Sequence, residues 1–268
     1  MSEQKAPLPI MPATTVLLLR PKANGVAGFE VFMVVRHHKI DSFSGALVFP
    51  GGKLEDADGD PRVRARCVGA EGMTDSELKF RIAGVREAFE ECGILLARKR
   101  GATDLIAAAE LAPIETRWRQ KLTDDEANIL DLVEAENLEL MVGGMVPYAH
   151  WITPPMVPKR FDTWFFVASA PVDQVALHDG SESVDSVWID AAQAVAEADA
   201  GKRTMVFPTR QNLLMLAESA TVESAIETSR RRPVVTVLPV LKDIDGKKYL
   251  TIPENAGYKI TQVPRENA

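Results

Sequence analysis

The sequence predicts a mixed α/β sandwich of the α+β kind, and three observations carry that prediction. Short, apolar, β-branched runs alternate with segments of helical periodicity along the chain. Their order is not the regular strand–helix–strand succession of a parallel doubly wound sheet. At 268 residues, with 46% hydrophobic and 26% charged side chains, the chain can bury a sizeable core and is too apolar to stay disordered.

The elements follow in order. Residues 14–20 (TTVLLLR) and 29–36 (FEVFMVVR) read as strands, joined as a hairpin by the glycine-containing segment from Pro21 to Gly28. A third strand over 46–49 is stopped by Pro50-Gly51-Gly52. After a polar stretch, Thr74 with Glu77 three residues on forms a capping box for a helix that runs to Gly93. Residues 104–140 hold one or two further helices, including the acidic DDEANILDLVEAENLEL. Strands are expected at 161–170 and 184–189, and helical patterns at 190–200 and 208–230. VVTVLPVL and KKYLTIP flank Asp245-Gly246 as a C-terminal hairpin. No linker divides the chain. The expectation is one domain over 1–268, with a core at 14–220, an insertion at 59–78, extra helices at 104–140 and a hairpin extension at 233–253.

Charge narrows the function. With 31 Lys+Arg against 38 Asp+Glu the net charge is -7, which gives no electrostatic footprint for a nucleic-acid polymer or an anionic membrane. A small anionic substrate would need a cation brought to it. Two cysteines, Cys67 and Cys92, allow neither a disulfide framework nor a four-thiolate zinc site. The start has no signal-like apolar segment, no stretch approaches the roughly 18 apolar residues of a membrane span, and residues 265–268 carry no Ser-Lys-Leu-type address. The expected location is cytoplasmic.

The chemistry concentrates in Ala83-Gly-Val-Arg-Glu-Ala-Phe-Glu-Glu-Cys-Gly-Ile-Leu95. At about 100° per residue, with Glu87 at zero, Glu91 falls at about 40° and Glu90 at about 300°. Ile82, Val85, Phe89 and Cys92 fall between about 140° and about 220°, on the opposite side. Three carboxylates therefore share one arc and the apolar face points to the core. Like charges so placed repel, and if the arc is buried they need a counter-charge. Mg²⁺ or Mn²⁺ suits clustered carboxylate oxygens, and Arg86 flanks the arc where its fork can orient one of them. A solvated acidic face on a surface helix has the same pattern, so the arithmetic leaves both readings open.

Phe49-Pro50-Gly51-Gly52-Lys53-Leu54-Glu55, followed by Arg86-Glu87-Ala88-Phe89-Glu90-Glu91-Cys92-Gly93-Ile94, resembles the Nudix box, Gly-x5-Glu-x7-Arg-Glu-U-x-Glu-Glu-x-Gly-U with U aliphatic. Gly52 takes the leading glycine, and two departures follow from it. Asp58 stands where the family has glutamate, and 27 residues separate it from Arg86 where the pattern has 7. This lengthened box is similar to that of a Nudix subgroup whose best-known members are the peroxisomal acyl-coenzyme A diphosphatases of animals. The similarity extends to Phe32–Arg36, to 43–52, and downstream to His150-Trp-Ile-Thr-Pro154, Arg160-Phe-Asp-Thr163 with Phe165-Phe166, and Pro208-Thr209.

The resemblance implies an α/β/α sandwich around a mixed sheet, here with helical insertions. It also implies hydrolysis of a nucleoside diphosphate linked to another moiety with Mg²⁺ or Mn²⁺ as cofactor. Glu87, Glu91 and Glu90 are then the metal ligands, helped by backbone oxygen near Gly52. The catalytic set is Glu91, Glu90, Arg86 and Glu182, the last on the loop before a Trp-containing strand. Arg36, Gly51, Lys53 and Arg160 are the candidates for the substrate phosphates. Cys92 reads as a packing residue, while His37 and His38 read as a polar loop. Arg230-Arg231-Arg232 is too isolated a run to argue for nucleic acid. The expected partner is a small nucleotide diphosphate, with a homodimer allowed. Coenzyme A or acyl-coenzyme A leads as substrate. ADP-ribose, a dinucleotide or a nucleotide triphosphate is the alternative, and a Nudix-fold binding module without catalysis is the reading from a different class.

Overall fold

The computed structural model describes residues 9–36, 45–180 and 183–265. In chain order the strands and helices are β1 (Ile10–Pro21), β2 (Phe29–Arg36), β3 (Leu47–Val48), α1 (Pro61–Arg64), α2 (Asp75–Cys92), β4 (Ala97–Lys99), α3 (Ala108–Thr123), α4 (Ile129–Ala135), β5 (Leu138–Leu140) and β6 (Val146–Ile152). They continue as β7 (Arg160–Ser169), β8 (Ser183–Ile189), α5 (Ala191–Asp199), α6 (Phe207–Leu216), α7 (Val222–Arg231), β9 (Thr236–Val237), β10 (Val240–Ile244), β11 (Lys247–Thr251) and β12 (Gln262–Pro264).

The central sheet runs β3-β2-β1-β7-β6-β9, with β8 also paired to β2. It is mixed, since β1 lies parallel to β7 and β6 parallel to β9 while the other pairs are antiparallel. Side chains alternate across it as the two-residue period requires. Val16, Leu18, Phe32, Val34 and Phe166 face a core closed by residues of α2, α3 and α4. Leu17, Leu19, Val31, Met33 and Val167 face a second core closed by α5, α6 and α7. The result is the expected α/β/α sandwich.

Most predicted elements form. The hairpin of β1 and β2 pairs Leu19 with Val31, and α2 starts at Thr74 with both bonds of its capping box present. Asp245 and Gly246, both at positive φ, turn β10 into β11. Four readings need correction. The 208–230 pattern is two helices, because Thr221 and Ser224 cap a new start at α7. The VVTV run leaves the hairpin and pairs with β6, as Pro239 interrupts the apolar run before β10. The acidic segment ends in a strand, β5, paired with β4. Strand β6 over MVPYAHWI was missed altogether, because its proline and polar residues blur the alternation.

Two features place the site. Strand β8 pairs with β2 from Val31 to Arg36, a span that includes Val31, which also pairs with β1, and Val34 and Val35, which also pair with β3, so β1 and β3 share the opposite edge of β2. The chain then runs on from β3 along β1, where Thr14 N–H donates to Gly52 O at 2.9 Å and Val16 N–H to Pro50 O at 2.9 Å. Helix α2 crosses β1 at Gly84, where a Cβ would sit 2.5 Å from Met145 Cε and 3.2 Å from Val16 Cγ2. The glycine costs helix propensity but permits that close approach. Residues added within the box form α1 beside α4 and a strap along β5, with Val68 N–H donating to Leu140 O at 2.8 Å.

The C-terminal strands β10, β11 and β12 are anchored through Tyr258. Its hydroxyl donates to Asn212 Oδ1 at 2.7 Å and accepts from Trp151 Nε1 at 2.8 Å, all within the second core. Tyr258→Phe leaves two buried polar groups without a partner and is expected to cost about 1–3 kcal/mol, read by denaturant unfolding. Unchanged unfolding would show that the pair is not what anchors the extension.

Candidate active site

The three arc glutamates lie on a helix that is almost wholly buried where they occur. Ile82, Val85, Phe89 and Cys92 are in the core as the angular arithmetic requires, and burial pushes the Cys92 thiol up. The opposite arc is not solvated either. Glu87 is 7% exposed, Glu91 8% and Arg86 1%. The solvated-face reading therefore fails, and the acids need counter-charge inside the protein.

Arg86 supplies it, within hydrogen-bond reach of four carboxylates. Its Nε donates to Asp58 Oδ1 at 3.1 Å and its Nη2 to Asp58 Oδ2 at 3.2 Å. Nη1 meets Glu87 Oε1 at 2.9 Å, Glu90 Oε1 at 3.1 Å and Glu55 Oε1 at 3.0 Å. Nη2 also donates to Lys53 O at 2.7 Å. Asp58, fully buried, accepts in addition from Glu55 N–H at 2.7 Å. The shorter carboxylate at the position of the family glutamate thus forms a two-pronged buried pair with the box arginine.

The glycines act by what they leave out. Gly51 has φ +153° and a Cβ there would lie 2.2 Å from Thr14 O, so only glycine fits between α2 and β1. Its N–H donates to Glu91 Oε2 at 3.0 Å. A Cβ on Gly52 would lie 2.5 Å from Glu87 Oε1, so the Glu87 carboxylate rests directly on that backbone. Gly93 ends α2 at φ +70°.

One guanidinium does not neutralise this many acids. Burial raises the Glu87 carboxyl well above the usual range and lifts Glu90 to about 7, although Arg86 pulls both down. Burial also raises Glu55. Arg86 is held above its ordinary value, since attraction from Glu87 and Asp58 outweighs its own burial. A hard divalent cation fits this donor set, which is all oxygen, carries excess negative charge and is packed against glycine backbone. As the side chains stand, Glu87 and Glu90 turn to Arg86 and Glu91 to Gly51 N–H. Among the described residues no group of three His, Cys, Asp or Glu side chains converges closely enough to hold a metal ion.

The remaining candidates spread out. Arg36 lies at the end of β2, and its Nε is buried without a hydrogen-bond partner among the described residues. Lys53 has an exposed side chain beside the glycines. Arg160 is buried at the far end of β7, opposite Ile10 of β1, with Nε donating to Thr153 O at 2.9 Å. Glu182, His37 and His38 lie outside the described residues. Arg232 of the basic run donates to Tyr148 O at 2.9 Å. Sequence reasoning missed Glu55, although it belongs to the quoted Lys53-Leu54-Glu55. It also missed Arg119 of α3, for which no sequence signal existed. Among the described residues no helix is long and apolar enough to cross a membrane.

The raised carboxyls fix a pH dependence. The folded protein holds protons on Glu87, Glu90 and Glu55 that the unfolded chain releases at ordinary carboxyl values. Their contribution to stability is therefore complete below about pH 4.5 and declines as pH rises toward 7 and above. A cation that binds only the carboxylate form should reverse this. Metal-free protein is expected to melt lower at pH 8 than at pH 6, Mn²⁺ should raise Tm more at pH 8, and Glu90→Gln should flatten the difference. Equal stabilisation by Mn²⁺ at both pH values would count against these acids as ligands. Separately, Asp58→Ala breaks the buried pair and is expected to cost about 3–5 kcal/mol in denaturant unfolding.

Comparison with known proteins supplies the family. The model of the NUDT19 Nudix domain matches residues 63–212, more than half of the chain. Human acyl-coenzyme A diphosphatase NUDT19 is 30% identical over 130 residues, which is 46% of this chain and 35% of the human protein. The chicken protein of the same name is 28% identical over 192 residues, 55% of this chain and 50% of its own. Putative nudix hydrolase 7 of Caenorhabditis elegans is 27% identical over 194 residues, 70% of this chain and 56% of its own. The chain thus spans about a third to just over half the length of these relatives. Among solved structures, a NUDIX hydrolase from Alicyclobacillus acidocaldarius superposes with a TM-score of 0.68 at 25% identity, over 85% of this chain and 100% of that one. With its buried box arginine, its glycine-seated glutamates and its sandwich around a mixed sheet, the chain belongs to the Nudix hydrolase family, in the branch of the NUDT19 Nudix domain.

Proposed function

We propose that the chain hydrolyses the diphosphate bridge of a nucleoside diphosphate joined to another moiety, with coenzyme A or acyl-coenzyme A as the leading substrate. The observation that carries the reading is the excess of buried carboxylate around Arg86, set against the backbone of Gly51 and Gly52. Such an arrangement is costly for stability alone and suits a centre that meets a cation and a polyanion. The substrate follows the name shared by the human and chicken relatives, acyl-coenzyme A diphosphatase. Products would be 3′,5′-ADP and phosphopantetheine or its acyl form.

In this reading Glu87, Glu91 and Glu90 hold Mg²⁺ or Mn²⁺, with backbone oxygen near Gly52. When bound, the ion neutralises the diphosphate and the charge that develops on it. Arg86 keeps the glutamates in place without needing the substrate. Glu90, with its carboxyl near 7, takes a proton from the attacking water at its carboxylate oxygen. Glu182 is the alternative acceptor. The water oxygen adds to phosphorus, the bridging P–O bond breaks, and the departing phosphate leaves with the bridging oxygen. Lys53, next to the glycines in sequence, and Arg36 at the end of β2 are the cations for holding phosphate oxygens, with Arg160 as the more distant candidate.

The test is a panel of coenzyme A, acyl-coenzyme A, ADP-ribose, dinucleotides and nucleotide triphosphates with Mg²⁺ or Mn²⁺. Glu91→Gln is expected to lower kcat by about 100-fold or more with KM little changed. No turnover on the whole panel with Mn²⁺ binding intact would replace this reading by a binding module. ADP-ribose turned over far above coenzyme A would remove only the leading substrate.

A further inference from the structure

We propose that Arg119, on α3 and outside the box, is a positioning residue for the carboxylates of α2. The proposal rests on the diphosphatase reading above for its activity arm, while its metal-binding arm stands without it. Arg119 Nε donates to Glu90 O at 2.8 Å and its Nη2 to Glu91 O at 3.0 Å. Those are the backbone oxygens of the residues whose side chains face Arg86 and Gly51. Nη2 also donates to Leu177 O at 2.6 Å, and Nη1 pairs with Glu115 Oε1 at 2.8 Å. Leu177 N–H in turn donates to Cys92 O at 3.0 Å.

The last carbonyls of a helix have no partner within the helix, and here a cation satisfies them. One planar fork therefore pins three things together: the final turn of α2, the segment around Leu177, and α3. The same segment is fixed a second time by Gln174, whose Oε1 accepts from Leu95 N–H at 3.0 Å and whose Nε2 donates to Ile106 O at 3.0 Å.

Gly93 shows how closely the arginine is built in. A Cβ at that position would meet Glu115 Oε1 at 2.7 Å and Arg119 Nη1 at 3.1 Å. The box glycine is thus required by its positive φ, and a larger residue there would also displace the Arg119–Glu115 pair. Helix α3 belongs to the added region at 104–140, which gives that region a part in the site. A lysine cannot replace the fork, because a single ammonium cannot reach two helix carbonyls, a loop carbonyl and Glu115 with the same geometry.

The experiment uses the full chain with Arg119→Lys and Arg119→Ala, and Arg117→Ala as a control on the same helix, where Arg117 pairs with Glu136 at the exposed side. Three quantities are read: Tm, Mn²⁺ affinity by calorimetry, and kcat and KM for whichever substrate of the panel is turned over. Arg119→Lys is expected to stay folded, to bind Mn²⁺ about tenfold more weakly, and to lose about tenfold or more in kcat with KM within about twofold. The control should change none of these. Wild-type Mn²⁺ affinity and kcat in a folded Arg119→Lys would overturn the proposal, as would an equal loss in kcat and affinity for Arg117→Ala. If the wild-type protein turns over nothing on the panel, the functional reading fails and the Mn²⁺ arm alone decides the role of Arg119. If Arg119→Ala does not fold, Arg119→Lys carries the test.

Discussion

The buried guanidinium of Arg86 is the interaction on which the rest depends. It joins the chain after the glycines, through Asp58, Glu55 and Lys53 O, to the helix that carries Glu87 and Glu90. Both ends of the box are therefore set by one side chain. This explains how 27 residues can separate Asp58 from Arg86 without disturbing the site. Lengthening a loop whose ends are pinned costs little, since closure entropy grows only slowly with loop length. The added residues form their own contacts with α4 and β5 and leave the pinned ends alone.

The same interaction leaves a charge imbalance. Four carboxylates surround one cation, and Glu91 is close by on Gly51 N–H. A fold selected for stability alone would replace much of this with apolar contacts, because a buried ion pair seldom repays its desolvation. The surrounding structure supports the arrangement heavily. The second core, the capped start of α2 and the glycine crossing at Gly84 owe nothing to the site's charge. The overall acidity of the chain thus has a local component gathered around Arg86, and the case against polymeric anions does not extend to a small anion met through a cation.

Legibility differed by the range of the interaction. The helix from Thr74 to Gly93 could be read from its capping box and terminal glycine, which are local rules. So could the first hairpin and the turn at Asp245-Gly246. Strand β6 could not, because it is held by pairing to β7 and β9 rather than by its own alternation. The break between α6 and α7 was obscured by apolar residues on both sides of it.

At the site, residue types and angular spacing determined which carboxylates share a face and that an arginine flanks them. They left open whether that face was solvated. Only the tertiary structure decided this, by laying β1 and the glycine segment against α2 and burying the acids. It also decided that Asp58 pairs with Arg86, and that Arg119 reaches the end of α2 from a helix 28 residues away. The physical reason is that periodicity follows from the geometry of one element, whereas burial and ion pairing depend on which other element packs against it.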